Sequence, residues 1–256
     1  MAVLAGGPVV RALALGVAMV LLQASIGTVN DVVDSPLDAG RKPGKPIPAG
    51  LVSPGQARAV AVAAGAAGLV LTALATRSVA VVAIGVAILG IGLLYDLRLR
   101  GTALSWLPFA LGIPLLPVYA WLGAVGAVPP AFGILVPAAF LAGAALAIAN
   151  GLADLERDEA AGSPSVAVTL GRESAWLAHA ALHAAVVALA ATSAVAAGRP
   201  APLLAGLIAA AAVLGVGVLA ARSLDPARRE RGWEIEAVAV AGLALTWLAG
   251  LAPRLG

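Results

Sequence analysis

Apolar stretches free of charge recur along this chain between short polar segments, and many reach the roughly 20 helical residues that one crossing of a hydrocarbon core requires. Placed by that rule, spans fall at 12–29, 59–75, 78–94, 103–125, 131–149, 174–197, 200–221 and 237–252. Residues 101–153 contain no Asp, Glu, Lys or Arg, and the stretch divides at Val128, Pro129 and Pro130, because paired prolines cannot both continue a helix. Pro108, Pro114, Pro117 and Pro137 fall inside spans, where neighbouring helices satisfy the backbone groups they release and kinks are expected. Arg11 precedes the first apolar run as in a secretory leader. That run is long, however, and no small-residue cleavage site follows before Asn30, so it reads as a helix. The pattern predicts an all-α, polytopic transmembrane bundle of about eight spans, forming a single domain over residues 1–256.

Composition strengthens this reading. Hydrophobic residues make up 61% of the chain and charged residues 11%, against about 25% charged in soluble domains. No water-soluble fold of this length hides so much apolar surface. The absence of cysteine excludes disulfides, thiolate metal sites and cysteine nucleophiles. A net charge of +3 spread over short loops points to positive-inside topology and away from a nucleic-acid partner.

With the loop after the first span cytoplasmic, Arg41, Lys42, Lys45, Arg58, Arg98, Arg100, Arg157, Arg172, Arg222, Arg228, Arg229 and Arg231 lie inside, and only Arg11, Arg77, Arg199 and Arg254 lie outside. All 13 acidic residues share the inner side, and the spans themselves read as free of Asp, Glu, Lys and Arg. The expected location is a multi-pass protein of the cell membrane, surrounded by membrane lipids, with its Asp-rich loops cytoplasmic.

Two triplets stand out on that side. Asn30, Asp34 and Asp38 repeat the spacing of Asn150, Asp154 and Asp158, each triplet begins where a span ends, and Gly40 or Gly162 soon follows. A spacing of four aligns three side chains along one face of a helical end, so each patch offers a column of oxygen ligands, with Asp31, Glu156 and Glu159 adding charge. Hard divalent cations such as Mg²⁺ take oxygen ligands and are commonly held by one or two carboxylates together with substrate phosphates. Two facing patches of this kind suit a metal-bound diphosphate. Arg41, Lys42 and Lys45 follow the first patch, and Arg98 and Arg100 follow Tyr95 and Asp96, placing cations where phosphate oxygens need them.

Residues 30–50, NDVVDSPLDAGRKPGKPIPAG, resemble the first Asp-rich motif of the UbiA superfamily of intramembrane prenyltransferases, with Lys45 to Gly50 in the place of that family's R-P-I-P-S-G-like segment. Residues 154–171, DLERDEAAGSPSVAVTLG, resemble its second motif. The resemblance implies an enzyme that transfers an isoprenyl group from an isoprenyl diphosphate to a lipophilic or aromatic acceptor, with Mg²⁺ as cofactor. Carried over, Asn30, Asp31, Asp34 and Asp38 would hold one Mg²⁺, and Asp154 with Asp158, beside Asn150, the second. Asp34, Asp154, Asp158 and Tyr95 are then the expected catalytic residues, and Arg41, Lys42, Lys45, Arg98 and Arg100 the diphosphate-binding ones.

Two departures from that family follow. Its first motif usually closes the second of nine helices, whereas here it closes the first span, so one N-terminal helix is expected to be absent. The family's Y-x-x-x-K pattern meets Leu99 four residues after Tyr95, which leaves Arg98 or Arg100 to serve.

Other features carry structural expectations. His179 and His183 are four apart, but no third ligand is expected close to them, and the Ala-rich surroundings read as those of buried or interfacial histidines. Gly65 with Gly68, and Gly206 with Ala210, are expected to permit close helix packing. Trp106, Tyr119, Trp121, Trp176, Trp233 and Trp247 read as an interfacial aromatic belt. Tyr95, Trp106 and Tyr119 are alternatively placed to stabilise a carbocation. Competing functions are a terpene cyclase or phosphoribosyl transferase of the same superfamily and, in a different class, a transporter or binding protein for a phosphorylated lipid. Transport fits poorly, because transporters place ionisable groups and broken helices near the bilayer midplane.

Overall fold

The computed structural model describes residues 1–39, 42 and 44–250. Among the described residues ten α-helices form: α1 Val9–Asp38, α2 Pro54–Thr76, α3 Val79–Leu94, α4 Leu107–Val125, α5 Phe132–Ala153, α6 Leu155–Ala160, α7 Val166–Leu170, α8 Arg172–Ala196, α9 Ala201–Ala220 and α10 Pro226–Ala249. Eight of them, all but the short α6 and α7, are long and apolar enough to cross a membrane. The all-α polytopic architecture is the one expected from the hydrophobic pattern.

Helix α5 is the most enclosed, with residues 142–149 buried almost without a break, and it packs against α4, α8 and α10. On one side α1 lies along α2 and α3 along α4; on the other α9 lies along α10. Small residues let these backbones approach, as expected. A Cβ on Gly68 would stand 3.0 Å from the Ala18 carbonyl oxygen across the α1–α2 contact, and one on Gly206 would stand 2.9 Å from Thr246. Gly143 meets the backbone of Phe109 so closely that any side chain there would collide with it.

The long polar ends differ from the hydropathy reading. Helix α1 runs 30 residues, about 45 Å at 1.5 Å per residue, and exceeds a hydrocarbon core of about 30 Å, so the first Asp triplet rides on the same helix that crosses the bilayer, with Pro36 in its last turns. Helix α10 begins at Pro226 rather than at 237: Asp225 caps it, Arg229 finds partners inside the bundle, and Arg228, Glu230 and Arg231 stay on its exposed face.

The spans are therefore not free of charge. Glu236 is fully buried on α10, with its two carboxylate oxygens 3.3 Å from His179 Nε2 and 3.1 Å from His183 Nε2 on α8. The two histidines do have a third polar partner, supplied from 53 residues away or more in sequence. His179 Nδ1 lies 2.7 Å from the Trp176 carbonyl oxygen, which only accepts, so Nδ1 carries a proton.

The aromatic belt is also corrected. Tyr119, Trp121 and Trp247 are buried within the bundle. Thr72 donates its single hydroxyl proton to the Gly68 carbonyl at 2.8 Å, so Tyr119, 2.7 Å from the same oxygen, is the donor of the bond tying α4 to α2. Trp121 packs edge-on against Phe132, and Trp247 Nε1 donates to Ser193 Oγ at 2.9 Å.

Candidate active site

At the end of the bundle where α1, α3 and α5 terminate, one cavity of about 700 Å³ collects Asp34 and Asp38 of the first triplet and all three residues of the second. Asp34 and Asp38 from α1 line it opposite Asn150, Asp154 and Asp158, with Lys42, Tyr95, Asp96, Arg100 and Phe109 completing much of the wall. Asp34, Asp38 and Asp96 are buried.

The two triplets reach this geometry differently. The first sits within continuous α1. The second spans a break, since α5 ends at Ala153 and Asp154, with φ −96° and ψ 3°, joins it to α6. The four-residue register survives because the Asp154 N–H donates to the Asn150 carbonyl at 3.2 Å and the Asp158 N–H to the Asp154 carbonyl at 2.9 Å.

The departure at Leu99 finds its explanation in the backbone. Tyr95 to Leu99 form a π-helical turn after α3, in which the Arg100 N–H donates to the Tyr95 carbonyl at 2.9 Å. A π turn holds one residue more than an α turn, so the fifth residue after Tyr95 arrives where a fourth would stand in an α-helix. Arg100 thereby lines the cavity and pairs with Asp34. Arg98 is exposed and is not brought to the cavity. Tyr95 packs edge-on against Phe109 at 5.3 Å.

The remaining expected site residues flank this wall. Asn30 Nδ2 donates to Asp96 Oδ1 at 3.0 Å, a bond spent within the protein, while Asp96 Oδ2 is buried with no hydrogen-bond partner. Lys45 stands 2.8 Å from Asp31 and 2.7 Å from Asp38, bridging them beside the cavity. Arg41 lies outside the described residues. Arg157 pairs with Asp154.

These pairings set the charge states. Burial alone would raise the Asp38 carboxyl, but the Lys45 ammonium, with Lys42 and Arg100, holds it below its ordinary 3.8. Burial works against the Lys45 ammonium, yet Asp31 and Asp38 hold its pKa above the usual lysine value. Asp154 is pushed up, chiefly by burial, with Arg157 opposing and the nearby Asp158 carboxylate adding to the rise.

Sequence reading passed over two groups here. Asp96 was visible only as one charge among cations, and its role depends on the π turn. Glu156 was visible as extra charge, but its partners Arg172 and Arg229 come from α8 and α10.

Apolar space adjoins the polar cavity. Trp106, Ile148 and Val166 line a second cavity of about 410 Å³, and their chain neighbours Ser105, Ala147 and Ser165 line the first. A third, of about 510 Å³ between α4 and α5, shares Phe140 and Leu141 with the second. Trp106 meets Phe140 edge-on at 6.3 Å. Among the described residues no three carboxylate or imidazole groups converge as a preformed metal cage. Mg²⁺ does not need one, since it is usually held by one or two carboxylates with substrate phosphates.

Comparison with known proteins yields a consistent picture. The model of the UbiA prenyltransferase family matches residues 1–249. Among solved structures, the chain is similar to the apo form of a UbiA homolog from Aeropyrum pernix K1, at 22% identity and a TM-score of 0.73 over 98% of this chain and 92% of that one. It is similar to a UbiA homolog from Archaeoglobus fulgidus bound to DMAPP and Mg²⁺, at 21% identity and a TM-score of 0.69 over 94% and 90% of the two chains. A digeranylgeranylglyceryl phosphate synthase structure matches at 16% identity and a TM-score of 0.72, over 95% and 86%. At such identities these likenesses establish the fold. No curated protein matches the sequence significantly.

Proposed function

The chain belongs to the UbiA prenyltransferase family, and from that premise we propose that it is a Mg²⁺-dependent intramembrane prenyltransferase, moving an isoprenyl group from its diphosphate to a lipophilic or aromatic acceptor. The observation that carries the reading is the cavity in which Asp34, Asp38, Asn150, Asp154, Asp158, Lys42 and Arg100 meet, with apolar cavities directly beyond. That arrangement suits a molecule with a diphosphate head and a hydrocarbon tail.

The donor set fits the metal: the oxygens are carboxylate and amide, and the buried, unpartnered Asp96 Oδ2 adds negative character at the same wall. Asp34 and Asp38 would hold one Mg²⁺, and Asn150, Asp154 and Asp158 the other, where Mg²⁺ would supply positive charge to the diphosphate oxygens. Arg100 and Lys42 add fixed positive charge on the same side, favouring departure of the diphosphate as its negative charge grows. Tyr95 and Phe109 turn aromatic surface toward the developing allylic cation, and the apolar walls keep water from it. Trp106 and Phe140 border the space for the tail. The excess of Lys and Arg at this end supports a cytoplasmic orientation.

The test is transfer from a radiolabelled isoprenyl diphosphate in membranes carrying the protein. Asp34→Ala and Asp154→Ala are each expected to abolish transfer, and turnover at the wild-type rate in either would end the assignment.

A further inference from the structure

Arg229, on α10, is fully buried, a placement that a guanidinium tolerates only when its N–H groups are satisfied. They are satisfied almost completely. Nε donates to the Leu152 carbonyl at 2.6 Å, Nη1 donates to the carbonyls of Ser223 at 2.9 Å and Leu224 at 3.1 Å, and Nη2 pairs with the Glu156 carboxylate.

The position of these acceptors gives the contact its meaning. Leu152 is in the last turn of α5, where helix carbonyls lack donors from their own helix, and Glu156 lies in the first turn of α6. Asp154 is the joint between them. Arg229 therefore holds the backbone two residues before Asp154 and the side chain two residues after it. Its own anchorage is firm, because Ser223 and Leu224 form the turn entering α10, and Gly217 and Gly232 bring α9 and α10 so close that a Cβ on Gly232 would stand 3.0 Å from the Gly217 carbonyl oxygen. Arg172 Nη2 takes the other Glu156 oxygen, and Arg172 Nη1 reaches the Ser223 carbonyl at 3.3 Å.

We propose that Arg229 is a positioning residue for the second Asp triplet: through Leu152 and Glu156 it sets where Asp154 and Asp158 stand in the cavity. The inference rests on the reading of that triplet as a metal–diphosphate site. At the break at Asp154 the backbone bonds to the Asn150 and Asp154 carbonyls carry the register on, and Arg229 adds an outside clamp on the Leu152 carbonyl and the Glu156 side chain. Lysine cannot substitute, since its donors radiate from one nitrogen while these four acceptors need the spread of a planar fork.

The experiment uses the full chain in detergent, with Mn²⁺ as the probe and inorganic diphosphate present, reading metal binding by electron paramagnetic resonance. Arg229→Lys is expected to weaken Mn²⁺ binding on the order of tenfold, as loss of groups that orient metal ligands typically does. The Mg²⁺ concentration for half-maximal transfer should rise in parallel while the acceptor KM stays constant. A clamp that only stabilised the bundle would lower the thermal midpoint and leave the Mn²⁺ affinity of the folded protein at the wild-type value; that result overturns the proposal. Glu156→Gln cuts the same linkage from the other side and serves if Arg229→Lys does not fold. It should weaken Mn²⁺ binding in the same direction by a smaller factor, and unchanged affinity there is equally adverse. Wild-type protein that binds no Mn²⁺ with diphosphate would instead remove the metal reading, and this inference with it.

Discussion

Arg100 and Asp34, 66 positions apart, form an ion pair across the mouth of the cavity, joining the π-helical turn after α3 to the end of α1. Arg100, although half-buried, is held in its charged form by Asp34 against the cost of burial. Substrate phosphate would compete with Asp34 for this guanidinium.

Replacing Arg100 by Gln should therefore lower kcat/KM for the isoprenyl diphosphate on the order of 10²-fold, the typical cost of losing one group that stabilises charge developing on a departing anion. Arg98→Gln, altering an exposed residue away from the cavity, should remain close to wild type. Steady-state transfer rates of the two variants check the contrast.

Glu156 supplies a pH dependence. Burial pushes its carboxyl up, but its own backbone N–H, Arg172 and Arg229 win and hold it below the ordinary 4.5. A depressed folded pKa contributes stability in full above the unfolded value, and that contribution is lost as pH falls below about 4.5 through the lower folded value. Thermal midpoints measured from about pH 6 downward, where ordinary carboxyl groups with pKa values of about 4 begin fully ionised, should fall more gently in Glu156→Gln than in wild type.

The buried trio between α8 and α10 gives a stability prediction. Glu236→Ala leaves two enclosed imidazoles without their shared acceptor and should cost roughly 3–5 kcal/mol, the range for breaking a buried charged contact. Glu236→Gln, whose amide still reaches both rings, should cost less. Reversible unfolding in mixed detergent micelles measures both.

Much of this was legible in the chain itself. Apolar length located all eight spans, because a helix in lipid must satisfy its own backbone and needs a fixed length to cross. The matched Asp spacing identified the two walls of the cavity, because a four-residue period is a property of local helix geometry. Tertiary structure decided what periodicity cannot express. The choice of Arg100 over Arg98 hangs on a π turn, a one-residue change in local winding that residue types do not announce. Glu236 and Arg229 read only as inner-side charges ahead of the last span, since hydropathy averages count a charge as a cost wherever it lies. Folding cancels that cost by bringing His179, His183, Leu152 and Glu156 to them from distant parts of the chain, and only the packed bundle contains those encounters.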